Sequence, residues 1–300
     1  MTSDDLLTVT VSFHPDQRAL RAQLETLPAE CIKVVVDNGS NESEQAFLRQ
    51  LPASIPNLVL VENATNAGLA AALNQGVRRG LAVRNGLRWC LLLDQDSEPE
   101  NGAVELLLEG IRELESDGGQ VGCVGPSLVD VQTGLSHGFH QATRFCWRRA
   151  YPAPGSRARI HCTTLNGSGT LMPLTLFNEL GGLDERLFID HIDTDWSFRV
   201  LAARGTLWGL PQAVFRHRMG ERSLRYWFLG WRVMPYRSPL RHRFLFRNTI
   251  WLLRRRYVPM VWKFWAVAKL GLTMAAYLAF SQERRQQIAG MFSGLRAGLK

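Results

Sequence analysis

The run Trp89–Gly102, "WCLLLDQDSEPENG", closes a five-residue apolar stretch with two carboxylates, Asp94 and Asp96, separated only by Gln95. Two carboxylates that close can hold a hard divalent cation which also takes phosphate oxygens, and a carboxylate at a strand end can accept hydrogen bonds from a nucleoside. The same residues also suit a solvated turn with a helix cap, because Ser97, Glu98 and Pro99 follow. "DNGS", Asp37–Ser40, poses the same choice: it follows an apolar run, and Asn-Gly suits a plain turn. "NGSGT", Asn166–Thr170, is either a loop or a place where backbone amides approach a phosphate or an acceptor. A further acidic cluster, "FIDHIDTDWSFR", contains Asp190, Asp193 and Asp195.

These groups need a scaffold, and the apolar periodicity supplies one. Strand-like runs at Leu7–Phe13, Ile32–Val36, Leu58–Val61 and Trp89–Leu93 are each followed by turn residues. Helical spacing then fills Asp16–Leu27, Glu42–Leu51, Gly68–Arg79 and Ala103–Glu115. That rhythm predicts a parallel α/β sheet with crossover helices, in which ligands collect at the carboxyl ends of the strands. Asp37 and Asp94 both stand there. After Gly118 the pattern loosens, and a second helix-rich region is expected from Asp193.

Composition narrows the class. At 46% hydrophobic over 300 residues the chain can bury a sizeable core, which excludes a disordered or fibrous protein. The five cysteines are scattered and never form a CxxC pair, so neither a disulfide framework nor a zinc site is indicated and a reducing compartment is expected. The acidic start "MTSDD" is unlike a signal peptide. The net charge of +8 hides a segregation: residues 1–215 carry 17 basic and 25 acidic side chains, residues 216–300 carry 18 and 2. The last part therefore faces an anionic partner.

In order along the chain, "VTVSFHP" (Val9–Pro15), "VVVDNGS" (Val34–Ser40), "NATNAGLAAALNQG" (Asn63–Gly76) and "LLLDQDS" (Leu91–Ser97) form one series. "LNGSGTLM" (Leu165–Met172), "GGLDERLFIDHIDTDWSFRV" (Gly181–Val200) and "FRHRMGERS" (Phe215–Ser223) continue it. With these blocks the sequence resembles the family 2 inverting glycosyltransferases of the GT-A fold, and among them the bacterial rhamnosyltransferases. The resemblance implies an α/β fold with a mixed sheet and flanking helices. It places a nucleotide-sugar-binding half in residues 1–118 and an acceptor half in 119–238.

It also implies roles. Pro15, Asp37, Asn66, Gly68, Asp94 and Gln95 would line the nucleotide-sugar pocket, and Asp96 with His217 would hold a divalent cation, Mg²⁺ or Mn²⁺, beside the sugar diphosphate. For His217 the alternative is a surface histidine between Arg216 and Arg218. Alignment on Trp196 and Arg199 puts Asp193 at the position of the catalytic base, with Asp190 as its rival and Ile192 standing where relatives often have glutamate. Gly167, Ser168, Asp190, Asp195 and Trp196 are candidate contacts to acceptor or phosphate; Trp196 is equally a core residue. The implied donor is dTDP-L-rhamnose, or a UDP-hexose as the alternative, and the implied acceptor is a lipid-linked cell-surface polysaccharide. A non-catalytic binding protein on the same scaffold would have dispensed with Asp96 or Asp193.

Residues 239–300 form the basic end. From Arg216 to Arg256 twelve arginines face a single acid, Glu221, and are interleaved with Trp and Tyr such as Tyr226, Trp227 and Trp231. That composition matches a helical region lying on anionic membrane headgroups, which the resemblance implies to be those at the cytoplasmic face of a bacterial inner membrane. Nucleic acid is not expected, since no recognition motif accompanies the charge. Residues 260–280 are long enough to span a bilayer, but Lys269 near the middle would cost about 2.5–3.5 kcal/mol, so an in-plane or packed helix is preferred.

Overall fold

The computed structural model describes residues 3–118, 120–131, 133–153, 156–217, 223–227 and 231–300, with backbone pairing alone for 223–227 and 231–235. Arg218 and residues 219–222 of the last sequence block lie outside the described residues, as do the side chains of Tyr226, Trp227 and Trp231.

The chain begins with four parallel strands, β1 (Leu6–Ser12), β2 (Ile32–Asp37), β3 (Leu58–Glu62) and β4 (Trp89–Asp94). Helices α1 (Gln17–Thr26), α2 (Glu42–Leu48) and α3 (Leu69–Val83) make the crossovers. β1 and β2 are buried along their whole length, which is why they read as continuous Val and Leu runs rather than as alternating patterns. In register, Ser12 faces Asp37 and Val11 faces Asp94, so the carboxyl ends of three strands finish level. The two carboxylate-bearing turns thereby share one edge.

Beyond β4 come the short β5 (Ser97–Pro99), α4 (Ala103–Ser116) and β6 (Val121–Asp130), then the hairpin β7 (Phe139–Ala142) and β8 (Trp147–Ala150). β9 (Ile160–His161), β10 (Thr170–Pro173), α5 (Leu174–Glu179), α6 (Ile192–Ala202) and β11 (Thr206–His217) follow. The main sheet runs β3-β2-β1-β4-β10-β6-β11-β5, with β9 on β11. β10 is antiparallel to both neighbours, so the sheet is mixed. The expected helix-rich region from Asp193 is corrected here. Between Asp193 and Ser238 only α6 is helical among the described residues, and Thr206–His217 returns as a twelve-residue strand because its buried Leu207, Leu210, Ala213 and Phe215 belong to the two cores that cover the sheet.

A hairpin of β12 (Ser223–Trp227) and β13 (Trp231–Pro235) leads into α7 (Pro239–Arg254), α8 (Met260–Phe280) and α9 (Arg284–Leu299). Gly290, Gly294 and Gly298 recur every fourth residue on α9. A Cβ at Gly290 or Gly294 would come within 2.5 Å or 2.3 Å of the Pro239 or Arg243 carbonyl oxygen, so the stripe lets α9 lie against the α7 backbone. α7 turns His242, Leu245, Phe246, Asn248 and Leu252 inward, and Trp262 of α8 packs edge-on to Phe198 of α6. Among the described residues no helix is long and apolar enough to cross a membrane.

Candidate active site

The turn after β4 is tied from both sides. Gln95 Oε1 accepts from the Phe13 backbone N–H at 2.7 Å and its amide donates to the Phe13 carbonyl at 3.2 Å, so Gln95 fastens the end of β1 to the turn. β5 then pairs with the far end of β11, setting His217 opposite Ser97. A residue more than a hundred positions away thus arrives beside the Asp-x-Asp pair. Asp94, Asp96 and His217 offer ligand atoms that all lie within 4.8 Å of one another.

The imidazole is held in place. His217 Nδ1 is 2.9 Å from Ser97 Oγ, Ser97 Oγ bonds Ser168 Oγ, and Ser168 Oγ accepts from the Asp94 backbone N–H at 3.2 Å. Ser168 therefore acts from the glycine-rich loop as a brace for the acidic turn. Burial, against the pull of His217, and then the negative neighbours Asp96 and Asp193 push the Asp94 carboxyl up to about 6. Two carboxylates and an imidazole, crowded until one acid resists ionising, are a donor set that a hard divalent cation fits.

The loop into α6 lines the same cleft. Phe188, Asp190 and His191 all have positive φ, near 65°, and Asn248 of α7 binds that loop with its amide on the Leu187, Ile189 and Asp190 carbonyls at 2.8–2.9 Å. Gly68, at the start of α3, has φ +92°, and a Cβ there would stand 2.6 Å from the Phe188 ring; the Leu69 N–H bonds the Phe188 carbonyl at 2.6 Å. The loop before α3 and the loop into α6 are thereby in direct contact.

The two rival aspartates differ sharply. Asp190 accepts from Arg241 Nη2 at 2.8 Å and lies 3.8 Å from Arg237 Nε; burial opposes, but the two guanidinium charges hold its carboxyl below the usual range. Asp193, in the first turn of α6, is bonded among the described residues by the Thr194 N–H and hydroxyl and the Gly167 N–H. Burial raises its pKa, and the negative charge of Asp190 adds to that. A carboxylate with a raised pKa and no cation bound to it is the better proton acceptor.

Other sequence candidates fall elsewhere. Asn66 lines the cleft and its Oδ1 accepts from the Asn38 amide and the Gly68 N–H. Asp37 is fully buried, with its oxygens on Ser40 N–H, Ser40 Oγ and the Gln45 amide, so here it caps its own turn. Pro15 is buried just ahead of α1. Asp195 corrects the expectation of an acceptor contact: it is fully buried and held by Arg199, Arg255 and Tyr257. Trp196 is also buried, its indole N–H on Cys123 Sγ and its ring against Phe177, as a core residue requires.

The cleft so formed has a volume of about 660 Å³ and reaches from Asn66 past the triad to Asp193, Arg237, Arg241 and Lys269. The last three were not singled out as site residues from sequence, because within a basic, aromatic stretch nothing in their spacing separates an inward cation from an outward one. Ser97 was missed as well. Only the β5–β11 pairing reveals it.

Comparisons with known proteins agree with this geometry. The model of "Glycosyl transferase family 2" matches residues 18–179, more than half of the chain. The dTDP-rhamnosyl transferase RfbF of Shigella flexneri is 26% identical over 260 residues, covering 86% of this chain and 83% of that protein. Among solved structures, GalNAc-T7 with UDP, GalNAc and Mn²⁺ superposes with a TM-score of 0.60 at 14% identity; 97% of this chain is covered, and it spans 56% of that one. TarS 1–349 of S. aureus with UDP-GlcNAc gives 0.58 at 14% identity, covering 97% and 81% of the two chains. The mannosyltransferase PcManGT of Pyrobaculum calidifontis with GDP-Man and Mn²⁺ gives 0.55 at 15%, covering 98% and 87%. The mixed sheet with flanking helices is a GT-A fold, and the chain belongs to glycosyl transferase family 2.

Proposed function

We propose that this transferase moves L-rhamnose from dTDP-L-rhamnose, with inversion at the anomeric carbon, to a lipid-linked polysaccharide acceptor at the cytoplasmic face of a bacterial inner membrane. The observation that carries the reaction is the cleft itself, which the Asp94, Asp96 and His217 cluster and Asp193 line together. The donor sugar rests on similarity to a protein named as a dTDP-rhamnosyl transferase.

Asp193 accepts the proton of the acceptor hydroxyl as that oxygen bonds to the anomeric carbon. The bond from that carbon to the diphosphate breaks on the opposite face, and the nucleoside diphosphate leaves with the electron pair. One displacement inverts the centre without a glycosyl-enzyme. Asp94, Asp96 and His217 would hold a divalent cation, Mg²⁺ or Mn²⁺, whose contribution when bound is to neutralise charge on the departing diphosphate. Arg241 and Arg237, across the cleft, add positive charge on that side.

A donor screen tests the reading. Purified protein with Mg²⁺ or Mn²⁺ is offered dTDP-L-rhamnose, UDP-GlcNAc, UDP-Gal and GDP-Man, and released nucleoside diphosphate is measured. Fastest release from dTDP-L-rhamnose supports the assignment. Preference for a UDP-hexose replaces the donor, and release from none removes the activity.

A further inference from the structure

Helix α1 turns Leu20, Gln23 and Leu24 into the core, where both leucines pack with Leu27 and with Leu91 and Leu93 of β4 in one apolar cluster. An apolar side chain is what position 23 calls for, because a buried amide lowers stability unless its hydrogen-bonding groups are satisfied. Gln23 is 0% exposed, and they are satisfied. Its Nε2 donates to the Asp94 carbonyl at 2.6 Å and to the Ser97 carbonyl at 2.5 Å, while Oε1 accepts from the buried Thr10 hydroxyl at 2.9 Å. That arrangement has one sense only, since a flipped amide would set Oε1 against two carbonyl oxygens.

The two carbonyls bracket the turn Asp94–Ser97, so a single amide from α1 sets the span over which Asp94 and Asp96 are presented. Its hold on Ser97 extends to the third member of the cluster, because Ser97 Oγ is 2.9 Å from His217 Nδ1 and the two residues pair across β5 and β11. With no exposed surface, Gln23 itself meets neither cation nor donor. Ligands fixed by buried outer partners need no ordering when the metal arrives, and losing such a partner weakens metal affinity by about 10–100-fold. Resting on the reading that Asp94, Asp96 and His217 would hold the cation, we propose that Gln23 is a positioning residue for that site. Thr10 orients the Gln23 amide, and the amide holds the turn at the spacing a divalent cation needs.

Calorimetric titration with dTDP alone, once in Mn²⁺ and once in EDTA, separates this role from packing. Mn²⁺ should strengthen dTDP binding to the wild type by at least about tenfold. Gln23→Met keeps the bulk of the side chain and removes both donors. Its affinity in EDTA should equal the wild type's, while the gain from Mn²⁺ should shrink to about twofold or less. Thr10→Val should shrink the gain by a smaller factor, and Thr10→Ser, which keeps the hydroxyl, should retain it. Leu24→Ala, on the same face of α1, removes core packing and none of these hydrogen bonds, so it should lower the urea midpoint and keep the full gain. A full Mn²⁺ gain in Gln23→Met, or in Thr10→Val if the first variant does not fold, overturns the positioning role. So does a loss of affinity that is equal in Mn²⁺ and in EDTA. Absence of any Mn²⁺ gain in the wild type overturns instead the cation-site reading on which the role rests.

Discussion

Asp190 and Arg241 form a two-point ion pair, Nη2 at 2.8 Å and Nε at 3.4 Å, that joins the loop before α6 to the first turn of α7. The pair engages Asp190, and among the described residues no ion pair involves Asp193, three residues on. Asp190 is thereby tied to α7, whereas Asp193 stands in the first turn of α6.

Asp193→Asn keeps the shape and the hydrogen bond from Thr194 but cannot accept a proton. Transfer should fall by about 10²–10⁴-fold with donor affinity unchanged. Asp190→Asn frees Arg241 and loosens the loop, so its loss should be smaller. Steady-state kinetics beside donor titrations decide. Loss of transfer in the Asp190 variant and retention in the Asp193 variant, with both folded, would reverse the assignment.

Asp195 links α6 to the segment between α7 and α8 through Arg255 and the Tyr257 hydroxyl, which donates to Oδ1 at 2.6 Å. Removing one partner from such a buried network leaves the others uncompensated. Asp195→Ala should lower stability by about 3–5 kcal/mol, read as the urea midpoint at constant slope. A midpoint within error of the wild type would mean the network contributes nothing net.

How much of this was legible in the sequence follows from what each feature depends on. β1 to β4 were readable because parallel strands buried on both faces leave unbroken apolar runs, and the Asp-x-Asp turn is local to one of them. His217 reaches that turn through pairing of β5 with β11, and Ser97 and Ser168 join it the same way, a relationship no short spacing encodes. The basic end was read as a membrane face because arginine interleaved with aromatics looks alike whether it meets lipid phosphates or the chain's own acids. In the fold, Arg241 meets Asp190 and Arg255 meets Asp184 and Asp195.

Asp184 gives a pH signature. Burial alone would raise its pKa, but hydrogen bonds from Arg186 and Arg255, with their charges, pull it well below the ordinary carboxylate range. The folded state therefore binds this proton less readily than the unfolded one. Its stabilisation is complete above the unfolded value of about 4 and fades as pH falls toward the depressed one. Urea midpoints of wild type and Asp184→Asn should differ at pH 7 and converge on acidification toward pH 2. A constant difference across that range would contradict the ion-pair account.

The exposed apolar face of α8, with Phe264, Leu272 and Phe280 outward, gives the membrane proposal a sharper test than truncation. Removing everything after residue 238 would also take away Asn248 and Arg241, which hold the loop into α6. The triple change Phe264→Ser, Leu272→Ser, Phe280→Ser should instead cut flotation with anionic vesicles while leaving the fold intact. Salt should weaken wild-type binding only in part, since apolar contact is not screened. Equal flotation of the variant would place the membrane contact elsewhere.

The central claim is that the Asp94, Asp96 and His217 cluster makes donor binding depend on a divalent cation. Calorimetric titration of dTDP-L-rhamnose into wild type and Asp96→Ala, each with Mn²⁺ and with EDTA, tests it most directly. The account predicts binding to wild type that Mn²⁺ strengthens by at least about tenfold, and no Mn²⁺ dependence in the variant. Identical affinities in all four titrations would contradict it.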